Sequence, residues 1–328
     1  MSRKIIYLIN PISGRGGKNS LRMLIDRKTR EQGIEYSIHP TDAEGRYDHL
    51  LPLIDKEGIT DIVVCGGDGT VSAVAAAIQG TGTRIGIIPM GSGNGLAFAA
   101  GIPKKITAAL HLIFTGHASL IDGFTINGHF SCMLCGIGLD GQVAHEFARQ
   151  KKRGLQTYIR ITLANFIKAK AYPFVISLPG TPGASAGSEA AAHSFPVEAF
   201  FISIANANQF GNQFTIAPRA SLSDGLLDIV IARKSGRFRL IMAVIRQVLG
   251  RNRLRRAGAP HDILKEGMAV GSKMESSVLY FQAPGLIIGN PSEAPMHIDG
   301  DPGVAAKEFV IRIVPRAIML IQPGKEAK

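Results

Sequence analysis

Three glycine-rich segments of this 328-residue chain have the residue types that bind phosphate. They are NPISGRGGK (Asn10–Lys18), GGDGT (Gly66–Thr70) and PMGSGNGLA (Pro89–Ala97). Glycine allows the backbone to approach a phosphate closely and to point its N–H groups at it. Neutral side-chain donors accompany the glycines, at Ser13, Thr70, Ser92 and Asn94. Together the three segments predict a nucleotide site, whereas one glycine turn alone would be read as a plain connection.

Aspartates occupy the other positions that could do chemistry. Asp68 lies inside GGDGT, where its negative charge opposes direct contact with a phosphate. Through Mg²⁺ the two can share one site, because this metal takes oxygen ligands from carboxylates and phosphates together. Asp299 and Asp301 are separated by one glycine in IDGDP, which fits either a catalytic pair or an ordinary acidic turn. Asp140, in GLDG, is a further candidate for the same acidic network.

The elements that must position these residues alternate between strand and helix in the first third of the chain. Apolar runs predict strands at Lys4–Ile9, Glu35–His39, Asp61–Cys65 and Arg84–Pro89. Helices are expected between them, at about Lys18–Glu31 and ending at about Lys56. This order predicts a parallel sheet with helices on both faces, and ligands of such sheets bind at the carboxyl ends of the strands. All three glycine segments lie at those ends, and a helix from about Thr70 would direct its positive end to the phosphates.

The second half has a different pattern. From about Gly123 short alternating strands predict an antiparallel sandwich. The β-rich stretches are Ala199–Ala207, Gly225–Arg233, Ser276–Ala283 and Glu308–Val314. Pro179–His193 is small and polar and contains two prolines, which indicates a flexible hairpin excursion.

Several other motifs are excluded. GRGGKN resembles a Walker loop, but Asn19 stands where Ser or Thr should bind magnesium. GIGLDG (Gly136–Gly141) matches the dinucleotide fingerprint, but it follows the end of the strand–helix alternation, with no βαβ unit around it. Cys132 and Cys135 form one C-x-x-C without the second pair of a zinc site. Without an 18-residue apolar run or a cleavage signature, we expect neither a membrane span nor a signal peptide.

The glycine segments also resemble a known family. NPISG, GGDGT and GSGNGLA, in this order and spacing, look like the diacylglycerol kinase catalytic domain of bacterial lipid kinases, diacylglycerol kinases, sphingosine kinases and ceramide kinase. The likeness continues in CGIGLDGQVA (Cys135–Ala144), in Ile204–Ile231 and in HIDGDP (His297–Pro302). The last is similar to the family's closing D-G-E-P signature, with Asp301 in place of the usual glutamate. The resemblance covers nearly the whole chain.

The resemblance implies an architecture and an activity. It implies an α/β N-terminal domain with a parallel sheet, similar to NAD kinases and phosphofructokinases, and a mainly β second domain that is an antiparallel sandwich. The nucleotide-binding domain is expected at 1–123, the lipid-substrate domain at 124–302, and a C-terminal tail, 303–328, returns to the first domain. The implied activity is an ATP-dependent, Mg²⁺-requiring lipid kinase that phosphorylates a lipid hydroxyl at the inter-domain cleft. Diacylglycerol, a sphingoid base and ceramide are candidate acceptors, and GSGNGLA leans towards sphingosine and ceramide kinases.

The resemblance also assigns residues. The implied catalytic residues are Asp301, Asp299 and Asp68, with Asp301 or Asp299 as the general base. The implied nucleotide-binding residues are Asn10, Pro11, Ser13, Gly14, Thr41, Gly66, Gly67, Asp68, Gly69, Thr70, Gly91, Ser92, Gly93 and Asn94. A structural Mg²⁺ is implied at Ser221, Asp224 and Leu226, while Asp68 and Asp140 are candidates for a catalytic Mg²⁺. Aspartate has a shorter reach than glutamate, so the choice of base stays open.

The net charge of +12 suits an anionic membrane, an anionic substrate or nucleic acid. Its dense clusters are RQKKR (Arg149–Arg153) and RNRLRR (Arg251–Arg256), with Lys168 and Lys170 between them, and Arg239–Arg256 is a candidate amphipathic helix. We expect a cytoplasmic protein that contacts an anionic membrane peripherally, since each basic residue near anionic lipid contributes about 1 kcal/mol. Nucleic-acid binding is not expected, because no recognisable module or aromatic cluster is present. A homodimer stays open.

Two alternatives remain beside the lipid kinase. One is a NAD kinase-like phosphotransferase that acts on a soluble substrate, against which NPISG and the D-G-L-L-D stretch argue. The other is a catalytically silent regulator that binds nucleotide or lipid. The retained acids Asp68, Asp299 and Asp301 argue against that reading.

Overall fold

The computed structural model describes residues 2–9, 18–42, 44–150, 154–178, 193–209, 216–234 and 277–324. Internal contacts divide the chain into two compact units. Unit 1 runs up to Gly123 and resumes at Pro315, and unit 2 is built from Phe124–Phe210 and Phe214–Val314.

Unit 1 alternates strands and helices. Its elements are β1 (Lys4–Ile9), α1 (Lys18–Glu31), β2 (Glu35–Pro40), α2 (Leu50–Glu57), β3 (Asp61–Gly66), α3 (Asp68–Ile78), β4 (Arg84–Pro89), α4 (Gly95–Ala99), α5 (Ile106–Thr115) and the first part of β5 (His117–Ile126). The strands pair in parallel in the order β2-β1-β3-β4. Met319 and Leu320 of the returning tail add a parallel strand beside β4. The expected α/β domain with a parallel sheet is confirmed.

The continuous apolar runs form strands because both faces of this sheet are covered. Every residue of β3 is buried, and successive side chains of a strand point to opposite faces. Helix α3 buries Val71, Val74, Ala75 and Ile78. This spacing places the four side chains on one side of the helix, which packs towards the interior.

A buried carboxylate joins several elements at the amino end of the sheet. Asp61 begins β3 and is fully buried. Its Oδ1 accepts a hydrogen bond of 2.8 Å from Arg3, and its Oδ2 accepts one of 2.5 Å from Arg84 at the start of β4. The hydroxyl of Thr60 donates to the same Oδ2 at 2.6 Å, and Arg3 also donates to the carbonyl oxygen of Ile113 in α5. This cluster fixes the strands at the edge opposite the glycine segments.

We expect Asp61→Asn to lower the free energy of unfolding by about 3 kcal/mol, because two arginines lose the buried anion that compensates them. Urea denaturation followed by circular dichroism measures the loss. The matched control is Glu35→Gln, since Glu35 pairs with Lys4 at 2.8 Å in the same sheet but is largely exposed. Its removal should cost no more than about 1 kcal/mol. Equal losses in the two variants would contradict the anchoring role of Asp61.

Unit 2 is mainly antiparallel β structure. Its elements are the end of β5, β6 (His129–Ser131), β7 (Leu134–Gly138), α6 (Leu139–Ala148), α7 (Leu155–Ile167), β8 (Tyr172–Leu178), β9 (His193–Ala205), β10 (Leu227–Arg233), β11 (Val278–Ala283), β12 (Gly285–Gly289), β13 (Met296–Ile298), β14 (Asp301–Gly303) and the first part of β15 (Glu308–Gln322). β9 pairs with β7, β8 and β10, β10 with β11, β12 with β8 and β15, and β13 with β7 and β14, all antiparallel. Its core contains Phe124, Phe174, Phe195, Phe281 and Phe309. The expected mainly β second domain is confirmed.

Helix α6 is an element that the sequence does not predict. It follows β7 directly, so GIGLDG does end a strand and open a helix. The neighbours of β7 are antiparallel to it, and the βαβ unit of a dinucleotide site is therefore not formed here. Gly141, a poor helix former, lies in the first turn, because a Cβ there would come within 2.3 Å of the Pro295 carbonyl oxygen. The close packing against Pro295 thus outweighs the low helix propensity of glycine at this position.

The tail returns to unit 1 later than residue 303. Gly303 pairs with Met296 in a hairpin, and Glu308–Arg312 pairs with Gly285–Gly289. Residues 303–314 therefore lie in unit 2, and the tail belongs to unit 1 only from Pro315.

Some sequence predictions fall on residues that the structure does not describe. They concern the loop 10–17, the basic residues 151–153, the hairpin 179–192 and the basic segment 239–256. Within the described ranges, no helix is both long enough and apolar enough to cross a bilayer.

Candidate active site

The loops that follow β3 and β4 touch through their backbones. A Cβ on Gly91 would lie 2.5 Å from the Cα of Gly67, and a Cβ on Gly67 would lie 3.0 Å from the Cα of Gly91. The N–H of Met90 donates to the carbonyl oxygen of Gly66 at 2.9 Å. A Cβ at residue 91 would force the backbone at residue 67 to move, and one at residue 67 would need a smaller shift. With glycine at both positions, GGDGT and GSGNG form one continuous backbone surface at the carboxyl edge of the sheet.

Asn94 shapes the second of these loops. Its backbone is left-handed (φ 54°), a conformation that asparagine tolerates better than most residues. Its Oδ1 accepts the N–H of Gly91 and its Nδ2 donates to the Gly91 carbonyl oxygen, both at 2.8 Å. The side chain is nearly fully buried in this clamp, while Ser92 is exposed. Contact of Asn94, Ser92 and Gly93 with phosphate stays a prediction.

Helix α3 begins two residues earlier than the sequence indicated. Gly67 is its N-cap and supplies no side-chain cap, and the first intrahelical bond runs from Val71 N–H to the Gly67 carbonyl oxygen at 3.1 Å. The N–H groups of Asp68, Gly69 and Thr70 therefore belong to the first turn, which has no intrahelical acceptors for them. Such a turn attracts anions. The side chain of Asp68 is half-buried beside these donors.

The end of β2 lies beside the end of β1. The N–H of Thr41 donates to the carbonyl oxygen of Ile9 at 3.1 Å, and Thr41 is buried. Asp42, which the sequence analysis does not single out, accepts the N–H groups of Arg46 and Glu44 at 3.3 and 2.7 Å. These backbone donors lower the pKa of Asp42 below its usual value. Asp42 therefore shapes the turn that follows Thr41. The predicted nucleotide-binding residues of NPISG (Asn10, Pro11, Ser13, Gly14) lie outside the described residues.

In unit 2 the acidic motif IDGDP forms a tight hairpin. Ile298 of β13 pairs with Asp301 of β14, so the turn contains only Asp299 and Gly300. Both have positive φ, 52° and 88°. This is the geometry of a type I′ turn, in which Asp-Gly is a favoured pair. The two interpretations of IDGDP, an acidic turn and a candidate catalytic pair, therefore refer to one and the same hairpin.

The two aspartates of this hairpin have different surroundings. The Oδ1 of Asp299 accepts hydrogen bonds from the hydroxyl of Ser131 (2.7 Å) and the N–H of Leu134 (3.1 Å). The N–H of Asp299 donates to the Leu134 carbonyl oxygen at 2.9 Å. Asp299 thus fastens the turn to the end of β6 and the start of β7. Asp301 stands one residue past the turn and is exposed.

A buried histidine supports the same turn and was missed in the sequence analysis. His297 is 1 % exposed, and its Nδ1 accepts the N–H of Gly300 at 3.2 Å. Since Nδ1 is an acceptor, the neutral ring carries its proton on Nε2. Nε2 lies 3.2 Å from Oδ2 of Asp140 in α6, although the angle is not that of a hydrogen bond. The signal that could have revealed His297 is its position two residues before Asp299.

Gly136 makes the contact between Asp140 and His297 possible. A Cβ at this position would lie 2.3 Å from Oδ2 of Asp140 and 2.5 Å from Nε2 of His297. The neighbouring Cys135 is buried, and burial raises the pKa of its thiol, as do the charges of Asp299 and Asp140. Asp140 and Asp299 therefore belong to one packed neighbourhood in unit 2.

The loop predicted to hold a structural Mg²⁺ is an Asx turn. Oδ1 of Asp224 accepts the N–H of Leu226 at 3.2 Å, and Gly225 follows with φ 73°. Oδ2 of Asp224 accepts a hydrogen bond from Gln282 at 3.2 Å. The Oγ of Ser221 faces the N–H of Ser223 at 3.5 Å. Metal binding by Ser221, Asp224 and Leu226 stays a prediction.

Across the part of the chain that the structure describes, no cluster of three or more His, Cys, Asp or Glu side chains could hold a metal ion. Cys65, Cys132 and Cys135 are buried and form no disulfide with one another. Burial raises the pKa of the Cys65 thiol to about 12. Both cysteines of the C-x-x-C therefore lie in the interior of unit 2.

Gly136→Ala should lower the free energy of unfolding by about 1–3 kcal/mol, because its methyl group would displace Asp140 and His297 from a packed site. Urea denaturation measures the change. Gly324→Ala is the control, since a Cβ there would meet no atom within 4 Å, and its effect should stay within about 0.5 kcal/mol. A Gly136→Ala protein as stable as the wild type would show that the Asp140–His297 contact tolerates separation.

Comparisons with known proteins agree with this architecture. The model of the diacylglycerol kinase catalytic domain matches residues 4–126, and that of the YegS C-terminal NAD kinase beta sandwich-like domain matches residues 134–255. A crystal structure of a diacylglycerol kinase from Bacillus anthracis str. Sterne has the same fold, with a TM-score of 0.68. The match covers 98% of this chain and 97% of that one at 18% identity, which supports the fold alone.

Relatives by sequence extend the comparison. An uncharacterized protein of Synechocystis sp. is 31% identical over 238 residues, or 69% of this chain and 52% of that protein. The chain therefore spans about half the length of that relative. A diacylglycerol kinase of Mycobacterium tuberculosis is 30% identical over 246 residues, which cover 73% of this chain and 76% of the relative. On these matches, the chain belongs to the diacylglycerol kinase catalytic-domain family.

Proposed function

We propose that this protein is an ATP-dependent, Mg²⁺-requiring lipid kinase that transfers the γ-phosphate to a lipid hydroxyl. Family membership supports a diacylglycerol kinase or lipid kinase type of activity. The observation that carries the proposal is the Asp299–Gly300 turn, which is fastened at its base and presents the exposed carboxylate of Asp301. Phosphoryl transfer needs positioned phosphates, charge compensation and a base near the hydroxyl, and both units contain suitable groups.

Unit 1 binds the phosphate donor in this proposal. The touching loops at Gly67 and Gly91 and the uncapped first turn of α3 fit an anionic ligand, because they offer N–H groups at a glycine-lined edge. Gly66, Gly69, Thr70 and Thr41 lie at the same edge. The half-buried carboxylate of Asp68 fits Mg²⁺, which would neutralise phosphate charge there. NPISG would complete the donor site.

Unit 2 supplies the base in this proposal. Asp301 accepts the proton of the lipid hydroxyl, while Asp299 holds the turn. Two donors already occupy the Oδ1 of Asp299, so this atom is committed to the fold rather than to a substrate. His297 supports the turn as well, because its Nδ1 accepts the N–H of Gly300, and Asp140 packs against the other side of the histidine ring. Asp301 is therefore the better candidate of the two, despite its shorter reach than glutamate.

Diacylglycerol is the first acceptor to test, because relatives of this chain are named diacylglycerol kinases. A sphingoid base and ceramide follow. Lipid acceptors lie in a bilayer, so the proposal includes peripheral contact with an anionic membrane surface, for which the net charge of +12 is suited.

One assay separates the proposal from its alternatives. Purified protein is incubated with labelled ATP, Mg²⁺ and a panel of lipids, and separately with NAD. Labelled lipid supports the proposal. Labelled NAD without labelled lipid would favour the soluble phosphotransferase, and nucleotide binding without any product would favour the silent regulator.

Asp301→Asn should lower kcat for lipid phosphorylation by about 10²- to 10⁴-fold, since the amide cannot accept the proton. Asp299→Asn should keep most of the activity, because asparagine retains the Oδ1 acceptor and Asn-Gly is favoured in a type I′ turn. Steady-state kinetics on the lipid found in the first assay, with circular dichroism to verify folding, provide the measurement. If Asp299→Asn lost activity and Asp301→Asn kept it, the base would be Asp299.

Asp68→Asn should lower kcat by about 10²-fold or more and raise the Mg²⁺ concentration needed for half-maximal rate, because the metal loses a carboxylate ligand. A titration of Mg²⁺ at saturating ATP measures both. Asp55→Asn, an exposed aspartate on α2, is the control and should behave as the wild type. An unchanged Mg²⁺ requirement in Asp68→Asn would remove Asp68 from the metal site.

A further inference from the structure

Helix α7 has an inner face that packs into unit 2. Ile161 and Asn165 are buried, and Tyr158 and Phe166 pack around Leu139 and Val143 of α6. The amide of Asn165 donates to Glu146 of α6 at 2.7 Å. These contacts hold the helix in place and leave its opposite face outward.

That outward face carries an apolar stripe. Ile159, Leu163 and Ile167 are 47%, 60% and 68% exposed. Their spacing of four residues places them in one row along the helix, about 12 Å long. Among the other exposed large apolar side chains of the described chain, Met23 and Val304 stand singly, and Val175 and Ile287 lie on the neighbouring strands β8 and β12. Scattered exposed residues need no explanation, but a row of three on one element indicates a contact surface.

Positive charge surrounds the stripe. The segment Leu155–Lys170 contains no Asp or Glu, and its charged residues are Arg160, Lys168 and Lys170, all exposed. Arg149 is exposed on the approach to the helix. The carboxylate of Glu146 on α6 accepts a hydrogen bond from Asn165. The surface therefore combines bulky apolar groups with charge of one sign.

We propose that the α7 stripe is the membrane-docking surface of this protein, with Ile159, Leu163 and Ile167 in the interface and Arg160, Lys168 and Lys170 against anionic headgroups. This inference rests on the proposed function, in which the acceptor lies in a bilayer. An apolar row flanked by basic residues is the composition of interfacial helices. A second copy fits less well, because a symmetric contact through the stripe would bring like charges together.

Co-sedimentation with phosphatidylcholine vesicles containing increasing fractions of phosphatidylglycerol tests the surface. The wild type should bind more strongly as the anionic fraction rises. The triple variant Ile159→Gln, Leu163→Gln, Ile167→Gln should lose about tenfold or more in partition coefficient. The triple variant Arg160→Gln, Lys168→Gln, Lys170→Gln should lose a similar factor and most of its dependence on phosphatidylglycerol.

Met23→Gln is the matched control, since Met23 is an equally exposed apolar residue on α1, and it should bind as the wild type. The substituted side chains are exposed, so thermal melts should agree between variants. Wild-type binding by both triple variants would overturn the proposal. Light scattering supplies a second check: a wild-type dimer that the apolar triple variant converts to a monomer would assign the stripe to a contact between copies instead.

Activity distinguishes failure of the docking surface from failure of the proposed function. On lipid dispersed in detergent micelles, both triple variants should keep the wild-type rate, while on vesicles their rates should fall in parallel with binding. Vesicle rates equal to wild type would overturn the docking role. A wild type that binds vesicles through the stripe but phosphorylates no lipid in either form would support the docking surface and overturn the lipid kinase.

Discussion

Parallel pairing of β1, β3 and β4 is the constraint on which the candidate donor site depends. It brings the carboxyl ends of the strands to one edge, where the loops at Gly67 and Gly91 come into backbone contact. At the opposite edge the buried carboxylate of Asp61 is held by two arginines. Charge and hydrogen bonds thus fix the amino end of the sheet. At the carboxyl end, glycines form loops whose backbone can approach a ligand closely.

Unit 2 uses a different device to hold its acidic residues. A two-residue turn of type I′ requires positive φ at both positions, which Asp299 and Gly300 supply. The contacts of Asp299 with Ser131 and Leu134, and that of His297 with Gly300, then fix the turn relative to β7. Asp301 directly follows this fixed turn and is exposed. In the proposed function, a base held in this way would need little reorganisation before it accepts a proton.

Two kinds of surface fit the proposed lipid kinase activity. A glycine-lined edge suits a soluble, highly charged phosphate donor, because its backbone N–H groups bind phosphate oxygens. These groups carry no net charge, so they do not hold the product as tightly as cationic side chains would. The outward face of α7 combines one apolar row with basic residues, which suits a partner that is apolar inside and anionic outside. In the proposed function, this contrast matches the chemistry of the two substrates.

The sequence alone determined the strands of unit 1, the glycine loops at their ends and the identity of the acidic residues. Continuous apolar runs are local signals, and β1 and β4 have the same bounds that these runs predict. Helix α6, the contact between His297 and Asp140 and the different surroundings of Asp299 and Asp301 were decided only by the tertiary structure. Ser131 and Asp299 are 168 residues apart in the chain. They meet because β13 pairs with β7, and no local periodicity encodes such a pairing.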